Sequence, residues 1–123
     1  MTVLPTGLYE EAIKELVLEG HANPGFDPYN KYEGVQTFYM GSLASFILYR
    51  VLESHIMIEL IYVSKKRRGS GAGKKILSEF VALVRSKASW PKAIRAEIIE
   101  GNQGSFSLFK EFRTRQVEKE ITV

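Results

Sequence analysis

The apolar run "HIMIELIYV" (55–63) passes through one serine into "KKRRGSGAGKK" (65–75), and an amphipathic stretch follows. No other feature of the chain restricts its fold as strongly. The apolar run reads as a strand. Beyond the glycines, Ile76, Leu77, Phe80, Val81, Leu83 and Val84 recur at helical spacing, which predicts a helix over 71–89. "SWPK" breaks that pattern, and "AIRAEII" (93–99) reads as a further strand. Strand, glycine loop, helix and strand make a βαβ unit, whose two strands run parallel through a right-handed crossover.

The rest of the chain must fit around that unit. "PTGLYEEAIKELVLEG" (5–20) reads as a helix opened by Pro5 and Thr6, with Leu8, Ala12, Ile13, Leu16 and Val17 on one apolar face and Gly20 at its end. "HANPGFDPYNKYEG" (21–34) reads as a long loop with a short helical turn, and loops of that length are often functional. "VQTFYM" (35–40) and "ASFILYRVL" (44–52) are strands, the second forming a hairpin with 55–63 across Glu53 and Ser54. "NQGSFSLFKEF" (102–112) reads as a short helix with Phe106, Phe109 and Phe112 inward, and "QVEKEITV" (116–123) as a last strand. The expected fold class is α/β, a mixed sheet with helices on both faces. At 123 residues the chain fits one domain, 1–123.

Composition removes several classes of chemistry. Cysteine is absent, which excludes disulfides, thiolate zinc sites and a cysteine nucleophile. The two histidines, His21 and His55, are not at metal-ligand spacing, so no metal is expected. No apolar run is long enough to span a bilayer, and no basic-then-apolar leader opens the chain, so a soluble cytoplasmic protein is expected. The net charge is +3, yet six of the seventeen Lys and Arg lie within 65–75, so the positive excess is local and predicts a local anionic partner.

The glycine pattern narrows that partner. A Walker A loop would need Gly five positions before Gly73, where Arg68 stands, and Ser or Thr after Lys74, where Lys75 stands. The dinucleotide fingerprint counted from Gly69 fails at Lys74, and counted from Gly71 it fails at Ile76. Arg-x-x-Gly-x-Gly does fit, as Arg68, Gly71 and Gly73. In this context "IELIYVSKKRRGSGAGKKIL" resembles the acetyl-CoA-binding motif of the GNAT N-acetyltransferases, in wording close to small bacterial or bacteriophage-encoded members. Downstream, "AIRAEIIEGNQGSFSLFKEF" resembles the strand, Asn and short helix that close the cofactor site in that family. Together the two stretches cover about half the chain.

The resemblance implies a GNAT-like fold, C-terminally shortened, and acetyl-CoA as acyl donor. It places Arg68, Gly69, Ser70, Gly71, Ala72, Gly73 and Lys74 at the pyrophosphate. The pantetheine arm would lie between strands 55–63 and 93–99, bonded by the main chain of Ile61 and Val63 and met by Asn102, which also suits a helix cap. Physical chemistry supports the loop assignment. Glycines at 69, 71 and 73 admit close main-chain approach and positive φ. The helix start aims its positive dipole end at the same anion, and Arg68, Lys74 and Lys75 add charge.

Glu59 lies mid-strand. It is either an exposed carboxylate or, as the family often carries an acid here, the general base for an acceptor amine, sharing a face with Met57, Ile61 and Val63. His21 caps the first helix or lines the acceptor pocket, and Phe26, Tyr29 and Tyr32 pack the loop or wall that pocket. Two features depart from the family pattern. Its tyrosine acid corresponds to Phe109, which has no proton to donate, and its Gly-Phe pair to Arg113 and Thr114. One strand also stands where the family has two, which leaves a free edge that favours a homodimer.

The expected activity is acetyl transfer by direct attack of a small-molecule or protein amine, without a covalent intermediate. The alternatives are a non-catalytic acyl-CoA-binding or protein-interaction member of the fold, favoured by Phe109, and a basic nucleic-acid-binding module, for which no second basic or stacking motif speaks.

Overall fold

A computed structural model gives the fold and describes residues 3–20, 22–96 and 119–122. Two longer helices, α1 (Thr6–Leu18) and α3 (Ala72–Ser86), and one short helix, α2 (Pro28–Lys31), accompany five strands: β1 (Gln36–Met40), β2 (Ser45–Val51), β3 (Ile56–Val63), β4 (Ala93–Ala96) and β5 (Lys119–Thr122). The strands form one sheet in the order β1-β2-β3-β4-β5. All neighbours are antiparallel except β3 and β4, which run parallel as the βαβ pattern requires.

The sheet is covered on both faces. Against one face α3 packs Ile76, Leu77, Phe80, Val81 and Val84 onto Ile47, Tyr49, Ile56, Ile58 and Ile94. Phe80 is fully buried and meets the rings of Tyr49 at 4.9 Å and Phe38 at 5.7 Å. Truncating such a phenylalanine to Ala typically destabilises by about 3–5 kcal/mol. Against the other face α1 packs Ala12 with Phe46, Leu48 and Tyr62. Helix α3 stops at Ser86, three residues short of the expected end. The Lys92 ammonium, from the "SWPK" break, donates to the carbonyls of Val84 (2.8 Å) and Lys87 (2.5 Å), adding a second donor to acceptors that also take the Lys87 and Trp90 N–H groups at the helix end.

The β2–β3 hairpin closes through Leu52 N–H to the His55 carbonyl at 2.9 Å. Its ladder is irregular. Leu48 faces Leu60 and Tyr49 faces Ile58, so Glu59 is an extra residue on β3, a β-bulge. The bulge corrects the expected period of two. Ile56 and Ile58 pack toward α3, and Ile61 does too, whereas Leu60 and Tyr62 pack toward α1. Ile61 therefore lies on the face opposite Leu60, and the run Met57, Glu59, Ile61, Val63 is not one face. In the long segment 21–34, the Asp27 carboxylate caps α2 by accepting from Tyr29 N–H at 3.1 Å, and Pro28 holds the first helical position. Among the described residues, no helix is long and apolar enough to cross a membrane.

Candidate active site

The glycine-rich loop leaves the end of β3 through a tight turn at Lys65–Arg67 and enters α3 at Ala72. Gly69 and Gly71 have φ of +80° and +84°, in the left-handed region that side chains other than glycine's resist. A Cβ at either position would meet nothing within 4 Å, so backbone angle rather than space demands glycine there. Gly73 does not share this property, because it lies in the first turn of α3. There the missing side chain only leaves the helix end open to an approaching group. Lys75 N–H bonds to the Gly71 carbonyl at 3.0 Å, so the N–H groups of Ala72, Gly73 and Lys74 belong to the first turn and point out of the helix end. Ala72 is buried, which ties this end to the core, while Lys74 and Lys75 are exposed beside it.

The main chain of β3 reaches the same place. Ser64 N–H donates to the Ala44 carbonyl at 3.0 Å, so this pair is hydrogen-bonded across β2 and β3. Antiparallel ladders alternate, so Val63 and Ile61 turn their N–H and C=O groups away from β2, toward the β4 side. The described β3–β4 pairs end at Ile58 opposite Ala96, and both residues lie beyond that point. A strand-like ligand entering there would find a ladder already laid out.

Arg68 points elsewhere than expected. Its Nε donates to the Val63 carbonyl at 3.1 Å, and one of its Nη atoms lies 2.5 Å from Glu15 Oε1 on α1. The guanidinium also sits over the Tyr62 ring, 5.5 Å from its centroid. Tyr62 Oη donates to the other Glu15 oxygen at 3.0 Å. Burial pushes the Glu15 carboxyl up, but hydrogen bonds from Arg68 and Tyr62 and the charges of Arg68 and Lys65 hold it below its ordinary value. Burial, and then the bond to Glu15, push the Tyr62 hydroxyl well above the usual phenol range.

On the α1 face of the sheet lies a second cluster. Glu59 Oε1 accepts from Arg50 Nε at 2.8 Å, and both side chains are largely buried. Arg50 stacks over the Tyr32 ring, 4.6 Å from its centroid, and Lys31 lies 5.2 Å from the same ring. Glu59 lies on the side where the aromatic segment 21–34 ends, and Arg50 links the two. Tyr29 belongs to the packing of that segment. Its hydroxyl bonds to Thr37, and its ring lies 5.4 Å from that of Tyr9, whose own hydroxyl donates to Asp27 at 2.6 Å. Glu15 and Arg50 are the residues that sequence reasoning missed. The available signal for Glu15 was a charge three residues after Ala12 on an otherwise apolar face. His21, Asn102 and Phe109 lie outside the described residues.

Comparison with known proteins bears on the family and the fold. The model of the acetyltransferase (GNAT) family matches residues 7–112. The fold is similar to the crystal structure of the ribosomal-protein-S18-alanine N-acetyltransferase from Escherichia coli, with a TM-score of 0.64 and 14% identity over 99% of this chain and 92% of that one. It is also similar to a putative GNAT-family acetyltransferase from Desulfovibrio desulfuricans, with a TM-score of 0.58 and 17% identity over 94% of this chain and 79% of that one. No curated protein matches by sequence.

Proposed function

The chain belongs to the GNAT acetyltransferase family, and from that premise we propose that it transfers an acetyl group from acetyl-CoA to an amine by direct attack. The observation that carries this reading is the junction of β3 and α3. There a left-handed glycine loop, an open helix N-terminus and the outward main chain of Ile61 and Val63 converge. The amides of Gly69, Gly71, Ala72, Gly73 and Lys74 suit a pyrophosphate, with the Lys74 and Lys75 charges nearby, whereas the Ser70 amide donates to the Arg67 carbonyl at 3.3 Å within the loop. The outward groups of Ile61 and the Val63 N–H suit an extended pantetheine arm, the Val63 carbonyl being held by Arg68 Nε, and the family resemblance implies that Asn102 meets the same arm.

In the proposed reaction the acceptor nitrogen attacks the thioester carbonyl carbon, and a C–N bond forms. The amine proton passes to the Glu59 carboxylate, directly or through water, and Arg50 holds Glu59 in place through Oε1. The tetrahedral intermediate then collapses, the C–S bond breaks, and the thiolate takes a proton from water, since Phe109 offers none. Most of the acceleration comes from alignment of two bound substrates and stabilisation of the oxyanion.

The acceptor is an amine of a small molecule or a protein. The E. coli neighbour is named for a ribosomal-protein alanine, so N-terminal alanine peptides belong in the acceptor panel. The test is a thermal shift with acetyl-CoA, CoA and a short oligonucleotide, followed by thiol release against that panel. At one hundred times its Kd, acetyl-CoA stabilises a folded protein by about 2.7 kcal/mol. Stabilisation by the oligonucleotide alone would contradict the proposal.

A further inference from the structure

We infer that Glu15 is a positioning residue for donor binding, and that Arg68 is a strut of the phosphate loop rather than a phosphate ligand. This rests on the functional reading above and deepens it. The Arg68 side chain is engaged on three sides. Nε is given to the Val63 carbonyl, the carbonyl at the very end of β3. One Nη atom is given to Glu15 on α1. The flat face of the guanidinium lies over Tyr62. Glu15 is itself held from two directions, by Arg68 and by the Tyr62 hydroxyl, and its side chain is only 11% exposed. A carboxylate so buried is retained only with partners, and Arg68 is its cationic one.

The connection is mechanical. Gly69 and Gly71 stand one and three residues beyond Arg68, both with positive φ. Glycines have no side chains to anchor such a loop, so its shape depends on what holds its ends. Ala72, buried in the core, fixes the far end. Arg68 fixes the near end by clamping it to Val63 and α1. Helix α1 thereby sets the shape of a loop more than fifty residues away in sequence, through a guanidinium committed to Glu15, the Val63 carbonyl and the Tyr62 ring.

The two roles of Arg68 make opposite predictions for one conservative change. If Arg68 is a strut, Glu15→Gln loosens the loop and raises both the Kd and the KM for acetyl-CoA, by about tenfold for the loss of a charge-assisted bond, with kcat unchanged. Arg68→Ala has a similar effect, and the double variant is no worse than either single one. If Arg68 is a phosphate ligand, Glu15→Gln frees it, and acetyl-CoA binds as well as before or more tightly while Arg68→Ala alone weakens binding. That outcome would overturn the inference.

Amide hydrogen exchange on the free protein separates this inference from the functional reading. The strut requires faster exchange of the amides bonded within the loop and its junction with α3, those of Arg68, Ser70 and Lys75, in Glu15→Gln, with the α3 core still protected. Unchanged exchange there would overturn the strut whatever the ligand. Failure of the wild-type protein to bind acetyl-CoA, with exchange altered as expected, would instead sink the functional reading and keep the strut. Arg68→Lys keeps the charge but loses the planar fork, and it should behave like Arg68→Ala.

Discussion

The proposed donor loop and the proposed acceptor face are built from opposite materials. The loop is main chain: two glycines with positive φ, the amides of a helix start, and strand groups turned outward. The acceptor face is side chain: a carboxylate on a bulge, an arginine from the next strand, and aromatic rings from a segment that α1 and Asp27 hold in place. A main-chain site is tolerant of the sequence around it and fit for a ligand part that never varies. A side-chain site can be altered one residue at a time. Chemistry and acceptor choice should therefore respond to substitutions around Glu59 and Arg50, and donor affinity to substitutions in and against the loop that follows β3.

The largest effect expected from that contrast is at Glu59. Glu59→Gln keeps the size of the side chain and removes the proposed base. Turnover should fall by roughly 100- to 10,000-fold, while acetyl-CoA affinity stays where it was. Steady-state kinetics beside a titration with acetyl-CoA reads both numbers. Turnover that barely changes would make the Arg50–Glu59 pair purely structural and erase the proposed division of labour.

How much of each region was legible in the sequence follows from the same contrast. The loop was legible because its signal is local. Arg68, Gly71 and Gly73 stand within six residues, between a strand pattern and a helix pattern. Even so, Gly73 was grouped with Gly69 and Gly71, although only the latter two have positive φ. The acceptor face was legible only in part. A bulge depends on how two strands count against each other, so the period of two on β3 concealed that Ile61 leaves the face it was assigned. Arg50 carries no local signal, since nothing nearby in sequence names its partner. Glu15 was hidden for the converse reason. An apolar helix face is recognised by its apolar members, and a carboxylate buried among them is omitted unless its cation is known. That cation, Arg68, is distant in sequence, and its orientation could not be read before the pair was seen.

A smaller effect sharpens the link between the two regions. The Glu15 carboxyl is held below its ordinary value in the folded state. Its contribution to stability is complete above the carboxylate range of roughly 4 and is lost as pH falls through it, because the unfolded chain then binds the proton more readily. Thermal melts from neutral to acid pH should show a steeper loss for the wild-type protein than for Glu15→Gln. Parallel curves would mean that Glu15 is no more favourably placed in the fold than in the unfolded chain.

Phe109→Tyr is expected to have the smallest effect. If this position adjoins the leaving sulfur, the added hydroxyl can protonate the thiolate. CoA thiolate is already a fair leaving group, so the gain should fall short of the roughly 100-fold of a positioned acid. Raised turnover at an unchanged melting temperature is the expected result. A melting temperature lowered by a buried, unpartnered hydroxyl, with flat turnover, would place Phe109 in the core instead.

The central claim is that the loop between β3 and α3 binds acetyl-CoA through its backbone shape, and calorimetric titration of the wild-type protein and Gly71→Val tests it most directly. Gly71 has φ of +84° and open space around its missing Cβ. Valine there meets no neighbour but must adopt a conformation that is unfavourable by about 1–3 kcal/mol, so the loop relaxes to another shape while the core stays folded. The account predicts saturable acetyl-CoA binding by the wild-type protein and its loss in the variant. Equal binding by both, or none by the wild type, would contradict it.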